Sequence, residues 1–123
     1  DDFPAFWSRS SGLKAPLRMD SAMDIARAHQ MRATLGLPGG QLVANPIPTE
    51  AEIAQTIIGP LIEQAISEAA AQQISAKSVT PFLLQRLFEL TDGQSLAANT
   101  ALVLNNARLG AAIARAMQGQ APL

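Results

Sequence analysis

Gln41-Leu-Val-Ala44, followed at once by Asn45-Pro-Ile-Pro48, is the stretch on which the fold class turns. Four residues are too short and too apolar to make a helix of their own, and the two prolines impose an extended turn, so the segment reads as a short strand. Upstream, Phe3-Pro-Ala-Phe-Trp-Ser8 is short and aromatic and runs into Arg9-Ser-Ser-Gly12. It suits a second strand, buried and ending in a turn, with Pro4 favouring an edge position or a strand start. Between the two, Asp20 and Ser21 can cap a helix with Ile25, Ala28, Met31 and Leu35 on its apolar side, stopped by Gly36 and Pro38-Gly-Gly40. Strand, helix, strand is the order of an α/β layer in which a helix covers a sheet. The expectation is therefore an α/β fold, with two short strands and about four helices in this chain.

Three more helices follow from the downstream pattern. Thr49 and Glu52 have capping-box spacing, and Ile57, Leu61 and Ala65, with Ile58, Ile62 and Ile66 one position on, form a wide apolar stripe. Gly59-Pro60 interrupts it. An internal proline costs about 3 kcal/mol, so the main helix is expected to begin at Pro60 after a short helical turn. Thr80 as cap and Pro81 at the first helical position lead into Phe82, Leu83, Leu84, Leu87, Phe88 and Leu90, with Gly93 closing that helix. Ser95 is the expected cap of the last helix, which would run to about Met117 with Leu96, Val103, Ala107, Gly110 and Ala114 on its apolar side. The stretch 118–123 reads as a frayed tail.

Composition narrows the function classes. The 123 residues suffice for one domain with its own core, yet only 15% are charged against 48% apolar, where an average soluble domain carries about 25% charged residues. Part of this surface is expected to cover something else, either more of a longer chain or a second subunit. A net charge of -1 without a basic stripe speaks against a nucleic-acid partner. The absence of cysteine removes disulfides, thiolate metal sites and a cysteine nucleophile. The longest uncharged stretch, residues 94–107, is broken by three asparagines and falls short of the roughly 20 apolar residues of a membrane span. The chain begins Asp1-Asp2-Phe3, with neither an initiator Met nor a signal peptide, and reads as a piece of something longer.

Few side chains are grouped for chemistry. His29 is the only histidine, and the nearest acids, Asp20 and Asp24, share its helix start, so it reads as a half-exposed helical residue. Glu50, Glu52, Glu63, Glu68 and Glu89 stand where a solvated helix face would put them. Ser8-Arg-Ser-Ser-Gly12 combines hydroxyls, a guanidinium and a permissive glycine, which suits either an oxyanion or phosphate contact or an ordinary turn or subunit contact. Asn99 and Asn106 lie seven apart on one face of the last helix and flank Val103. A buried amide there needs a partner, and backbone, water or ligand would each serve.

Taken together, Phe3-Pro-Ala-Phe-Trp-Ser-Arg-Ser-Ser-Gly12, Leu37-Pro-Gly-Gly40, Val43-Ala-Asn-Pro-Ile-Pro48, Thr80-Pro-Phe-Leu-Leu84 and Ser95-Leu-Ala-Ala-Asn-Thr-Ala-Leu-Val-Leu-Asn-Asn-Ala107 closely resemble the C-terminal portion of the pseudouridine-5′-phosphate glycosidases, also called the indigoidine synthase A-like family. The likeness runs through nearly the whole chain in order and spacing.

The resemblance implies that residues 1–123 are the C-terminal part of a single glycosidase domain with a three-layer α/β/α core. The parent would be a cytoplasmic, Mn2+-dependent homotrimer that reversibly cleaves the C–C glycosidic bond of pseudouridine 5′-phosphate to uracil and ribose 5-phosphate. It also implies a covalent lysine adduct at the opened sugar, which provides the electron sink such a bond requires. The catalytic lysine, the proton-handling glutamate and the metal-binding aspartate are expected in the N-terminal part of the same enzyme, so this chain alone is expected to be inactive. Lys14 and Lys77 do not take the nucleophile's place.

The family's Ser-Leu-x-x-Asn motif matches Asn99 and implies a substrate contact there; Arg9, Ser10 and Ser11 are the secondary candidates. Three positions depart from the family pattern: Pro60, Gln73 where a helix-ending glycine is common, and Thr100 in place of a larger aliphatic residue beside Asn99. The rival readings are a non-catalytic helical assembly module, in which Asn99 is a satisfied core amide, and an independent helical binding module.

Overall fold

A computed structural model describes residues 2–119, so the expected tail is covered only as far as Gly119 and its remainder, 120–123, lies outside the described residues. Four α-helices and two 3-10 turns make up the regular structure: α1 (Ala22–Thr34), a turn at Thr49–Ala51, α2 (Gln55–Ala71), a turn at Ala76–Ser78, α3 (Val79–Leu90) and α4 (Gln94–Gln118).

The ends of α1 are set by local chemistry, as read from the sequence. Ser21 accepts from the Asp24 N–H at 3.1 Å and donates its own hydroxyl to the Asp24 carboxylate at 2.6 Å, satisfying one first-turn donor. At the other end Gly36, at φ +64, lets the Leu37 N–H reach back to the Arg32 carbonyl at 3.0 Å.

In α2 the expected start at Pro60 is overturned, because the helix begins at Gln55 with Pro60 inside it. Burial decides this. Ile58 lies in the turn before the proline and is 1% exposed. Burying a side chain of that size contributes about 1.5–3 kcal/mol, comparable to the cost of an internal proline. The expected capping box is absent too: Thr49 opens a 3-10 turn, and the Glu52 carboxylate accepts from the Arg9 N–H at 2.7 Å. Gln73, at the family's glycine position, adopts φ +55, the left-handed conformation that makes glycine common there, and the Ile74 N–H returns to the Ala69 carbonyl at 2.9 Å. Thr80 and Pro81 are the second and third residues of α3 and not its cap and first residue; Pro81 still sits in the first turn, where its missing N–H costs nothing.

The core gathers Ile47, Ile53, Ile58, Ala65, Leu87, Ala98 and Leu102, with Trp7, Leu61, Ile62 and Leu83 packed against it. α2 lies on α3, α3 on α4, and α1 on α4.

The two expected strands are not present: among the described residues the only ladder contact is an antiparallel bridge between Asp2 and Lys14. Residues 3–13 instead fold back on themselves, with the Phe3 N–H on the Leu13 carbonyl and the Ser11 N–H on the Phe3 carbonyl. Leu42 in the other segment is 85% exposed. The physical reason is that an extended segment leaves its backbone groups to be paired by a neighbour, and no neighbouring strand is offered within residues 2–119.

The expected apolar side of α4 also proves to be the wrong face. Leu96, Val103, Ala107, Gly110 and Ala114 point outward, and Ser95, Ala98 and Leu102 are the buried residues. Small side chains at Ser95 and Ala98 allow close approach of the packed elements, which apolar periodicity alone does not reveal.

Candidate functional site

The candidate site is built on the first turns of α4. Its N-terminus starts at Gly93, at φ +81, which ends α3 by carrying the Gly93 N–H to the Phe88 carbonyl at 2.9 Å and then serves as the N-cap of α4. The expected cap, Ser95, is instead the second helical residue and is buried. Its N–H is satisfied by the Thr91 hydroxyl oxygen at 3.0 Å, while the Thr91 hydroxyl donates to the Leu87 carbonyl at 2.6 Å. Thr91 thus links the end of α3 to the start of α4, a role the sequence reading missed.

One turn on, Asn99 is half-buried and lines a concavity of about 270 Å3 together with Trp7, Pro81, Leu84, Gln85, Phe88, Ser95 and Leu96. The walls are chiefly apolar and aromatic, and the Asn99 amide makes no side-chain hydrogen bond among the described residues. An apolar hollow with a few converging polar groups is the usual make-up of a small-molecule site. The amide brings one acceptor and two donors to it. Thr100 faces away: it is exposed and its hydroxyl donates to the Leu96 carbonyl at 3.0 Å.

Asn106, paired with Asn99 by sequence spacing, does something else. Its side-chain oxygen accepts from the Asn45 amide at 3.0 Å, and the neighbouring Asn105 amide donates to the Pro46 carbonyl at 3.1 Å. These two asparagines hold the segment that enters the core at Ile47. Val103, between Asn99 and Asn106, is 59% exposed.

The Arg9, Ser10 and Ser11 loop is not brought together with Asn99. Arg9 and Ser10 line a separate, wider concavity of about 960 Å3 with Lys14, Arg18, Asp2 and Asp20 among its walls. The loop's polar groups are bonded to the protein. Arg9 donates to the Ile47 carbonyl at 2.6 Å, Ser10 to the Asp2 carboxylate, and Ser11 to the Phe3 carbonyl at 2.6 Å. The Ser10 hydrogen bond, and then Lys14 at 3.0 Å, hold the Asp2 carboxyl below the ordinary carboxylate range. Ser8, just before the loop, is buried and donates to the Ile53 carbonyl at 2.8 Å.

His29 is exposed on α1. Among the described residues no three His, Cys, Asp or Glu side chains gather where a metal could bind. No described helix is long and apolar enough to cross a membrane.

Comparison with known proteins sets this geometry in context. Residues 1–116 match the family described as Indigoidine synthase A like protein. Over 117 residues the chain is 72% identical to a pseudouridine-5′-phosphate glycosidase of Jannaschia sp. and 67% identical to one of Paracoccus denitrificans. Those alignments cover 95% of this chain but 39% and 38% of the relatives, so the chain spans about two fifths of their length. Among solved structures it superposes on an indigoidine synthase A (IdgA)-like protein from Thermotoga maritima with a TM-score of 0.78 at 35% identity, covering 95% of this chain and 37% of that one. It also superposes on the prealnumycin C-glycosynthase AlnA, solved in complex with ribulose 5-phosphate, with a TM-score of 0.82 at 26% identity, covering 95% and 38%.

Proposed function

This chain belongs to the indigoidine synthase A-like family, and on that premise we propose that it is the C-terminal part of a pseudouridine-5′-phosphate glycosidase. The observation that carries the reading is the 72% identity to the Jannaschia glycosidase, sustained over 95% of the chain. The reaction proposed for the whole polypeptide is reversible cleavage of pseudouridine 5′-phosphate to uracil and ribose 5-phosphate. Its nucleophilic lysine, its proton-handling glutamate and the ligands for Mn2+ belong, in this reading, to the remainder of a cytoplasmic homotrimer with a three-layer α/β/α core. The C-glycosynthase neighbour, solved with a sugar phosphate, favours the same class of ligand.

In this reading Asn99 meets the substrate. The support is its half-buried amide, uncommitted among the described side chains, in a hollow walled by Trp7, Leu84, Phe88 and Leu96. Arg9, Ser10 and Ser11 are a second proposed contact, for the phosphate end; the support is the loop's guanidinium and hydroxyls beside a wide concavity, in which Lys14 and Arg18 are paired with Asp2 and Asp20.

The test is made on the full-length polypeptide with pseudouridine 5′-phosphate, reading uracil release. Turnover is expected. Asn99→Ala should lower kcat/KM by up to about tenfold, the equivalent of one hydrogen bond of roughly 1.4 kcal/mol, with the melting temperature unchanged. A lower melting temperature with kinetics intact would return Asn99 to the role of a structural amide in an assembly module.

A further inference from the structure

Trp7 is fastened to the molecule at three points. Its carbonyl accepts the Ile53 N–H at 2.9 Å, its ring packs against the core cluster, and its indole N–H donates to the Ser95 carbonyl at 3.1 Å across 88 residues of sequence. Phe6 meets the ring edge-on, with centroids 4.5 Å apart. The third attachment bears on the site. In an α-helix the carbonyl of residue 95 accepts the N–H of residue 99, so one oxygen receives both the Trp7 indole and the Asn99 peptide. Trp7 also lines the hollow that Asn99 enters.

From this geometry we infer that Trp7 is a positioning residue for Asn99. Its indole N–H fixes the carbonyl from which the Asn99 turn hangs, and its ring forms the wall against which that amide is presented. The first turn of a helix has no preceding turn to hold it, and its leading N–H groups lack intrahelical partners; here a side chain from outside the helix adds a second hydrogen bond to one of its carbonyls. The inference rests on the reading that Asn99 touches substrate, and it adds that the amide's aim depends on a residue near the chain's beginning.

Trp7→Phe in the full-length polypeptide removes the N–H while keeping an aromatic ring. The expected result is a fall in kcat/KM for pseudouridine 5′-phosphate of about threefold to fivefold, smaller than that of Asn99→Ala. In an Asn99→Ala background the same substitution should cost less than about twofold, because a residue acting through Asn99 has nothing left to aim. Losses that multiply in the double variant would overturn the inference, as a role confined to core packing produces that result.

Two readouts are independent of turnover. The amide resonances of Asn99, backbone and side chain, should shift in Trp7→Phe well beyond those of Arg108 further along α4; unmoved Asn99 signals would overturn the inference. In the unsubstituted protein the Trp7 indole N–H and the Asn99 N–H should be protected from hydrogen exchange to a similar degree. An indole exchanging at the rate of a free side chain would also overturn it, whether or not the variant folds. If the unsubstituted full-length polypeptide releases no uracil, the glycosidase reading falls, and the resonance and exchange measurements still decide the link between Trp7 and Asn99.

Discussion

The helical body of the molecule and the extended segments beside it are both rich in leucine, yet they end in opposite conditions. In α2, α3 and the first half of α4, Ile58, Ala65, Leu87, Ala98 and Leu102 are buried together. In the extended segments Leu13, Leu17 and Leu42 all stand exposed, and only Ile47 and Ile53 join the buried core. The difference lies in the backbone and not in composition. A helix pairs its own N–H and C=O groups and needs only one face covered, whereas an extended segment needs a neighbour for its backbone as well as its side chains. Within residues 2–119 each helix pairs its own backbone, although Ile57 on α2 and Leu96, Val103 and Leu104 on α4 stand exposed. Any ladder formed by the extended segments needs a strand from elsewhere, and the curated relatives are more than twice as long as the match.

The largest expected effect tests that contrast directly. Leu87→Ala, at a position 1% exposed, should cost about 2–5 kcal/mol of unfolding free energy, because it removes buried atoms and leaves a cavity. Leu42→Ala should change the same quantity by no more than about 0.5 kcal/mol in this 123-residue chain. Denaturant unfolding of both variants measures the difference, and equal losses would break the comparison. Repeating Leu42→Ala in the full-length polypeptide sharpens it, since a cost that appears only there means the remaining length covers the segment.

A smaller effect is expected from glycines in the two regions. Gly93 joins α3 to α4 at φ +81, and a Cβ built there stands 3.4 Å from the Phe88 ring. Gly93→Ala should therefore cost about 1–2 kcal/mol through left-handed strain alone. Gly40 lies in the extended region with nothing within 4 Å of its would-be Cβ and no left-handed φ. Gly40→Ala should be neutral or stabilising by up to about 1 kcal/mol, since it mainly restricts the unfolded chain. Thermal melting of the pair decides it, and a matched loss at both positions would show that Gly93 is not a special joint.

These particular residues also show which parts of the structure were legible in the sequence. Ser21, Gly36 and Gly93 were read correctly as helix punctuation because a cap or a left-handed glycine acts within a few residues of itself. The early start of α2 was not legible, because burial of Ile58 against distant residues overrides the local cost of Pro60. The strands failed for a related reason: the apolar pattern of residues 3–8 and 41–44 records a tendency that only a partner can satisfy. On α4 the large residues Leu96 and Val103 outweighed Ser95 and Ala98 in the reading, although the small ones mark the close contact. Asn99 is marked by its spacing from Asn106, and its tie to substrate comes from the family motif, which carries no geometry. The Trp7 bond to Ser95 and the Thr91 link were invisible, because nothing in a residue's neighbours announces a partner across the fold.

The smallest expected effect concerns acid. Arg86 on α3 donates to Glu68 on α2 through Nε at 2.5 Å and Nη2 at 3.1 Å, and to Glu89 through Nη1 at 3.0 Å. The Glu68 carboxyl is held below its ordinary value of 4.5 by Arg86 first and Gln64 second, and that of Glu89 by Gln85 first and Arg86 second. Both folded-state values are lowered, so the folded chain binds fewer protons than the unfolded one in this range. The stability they contribute is present above pH 4.5 and is lost as pH falls through the depressed folded values. Because these groups remain in contact with solvent, the contribution is modest and weakens with salt. Melting curves of the parent chain and of Glu68→Gln from neutral pH to pH 3 should show a gap at neutral pH that closes in acid. A gap of constant size across that range would mean that the α2–α3 contact owes its stability to packing and hydrogen bonds that do not titrate, as the core beneath it does.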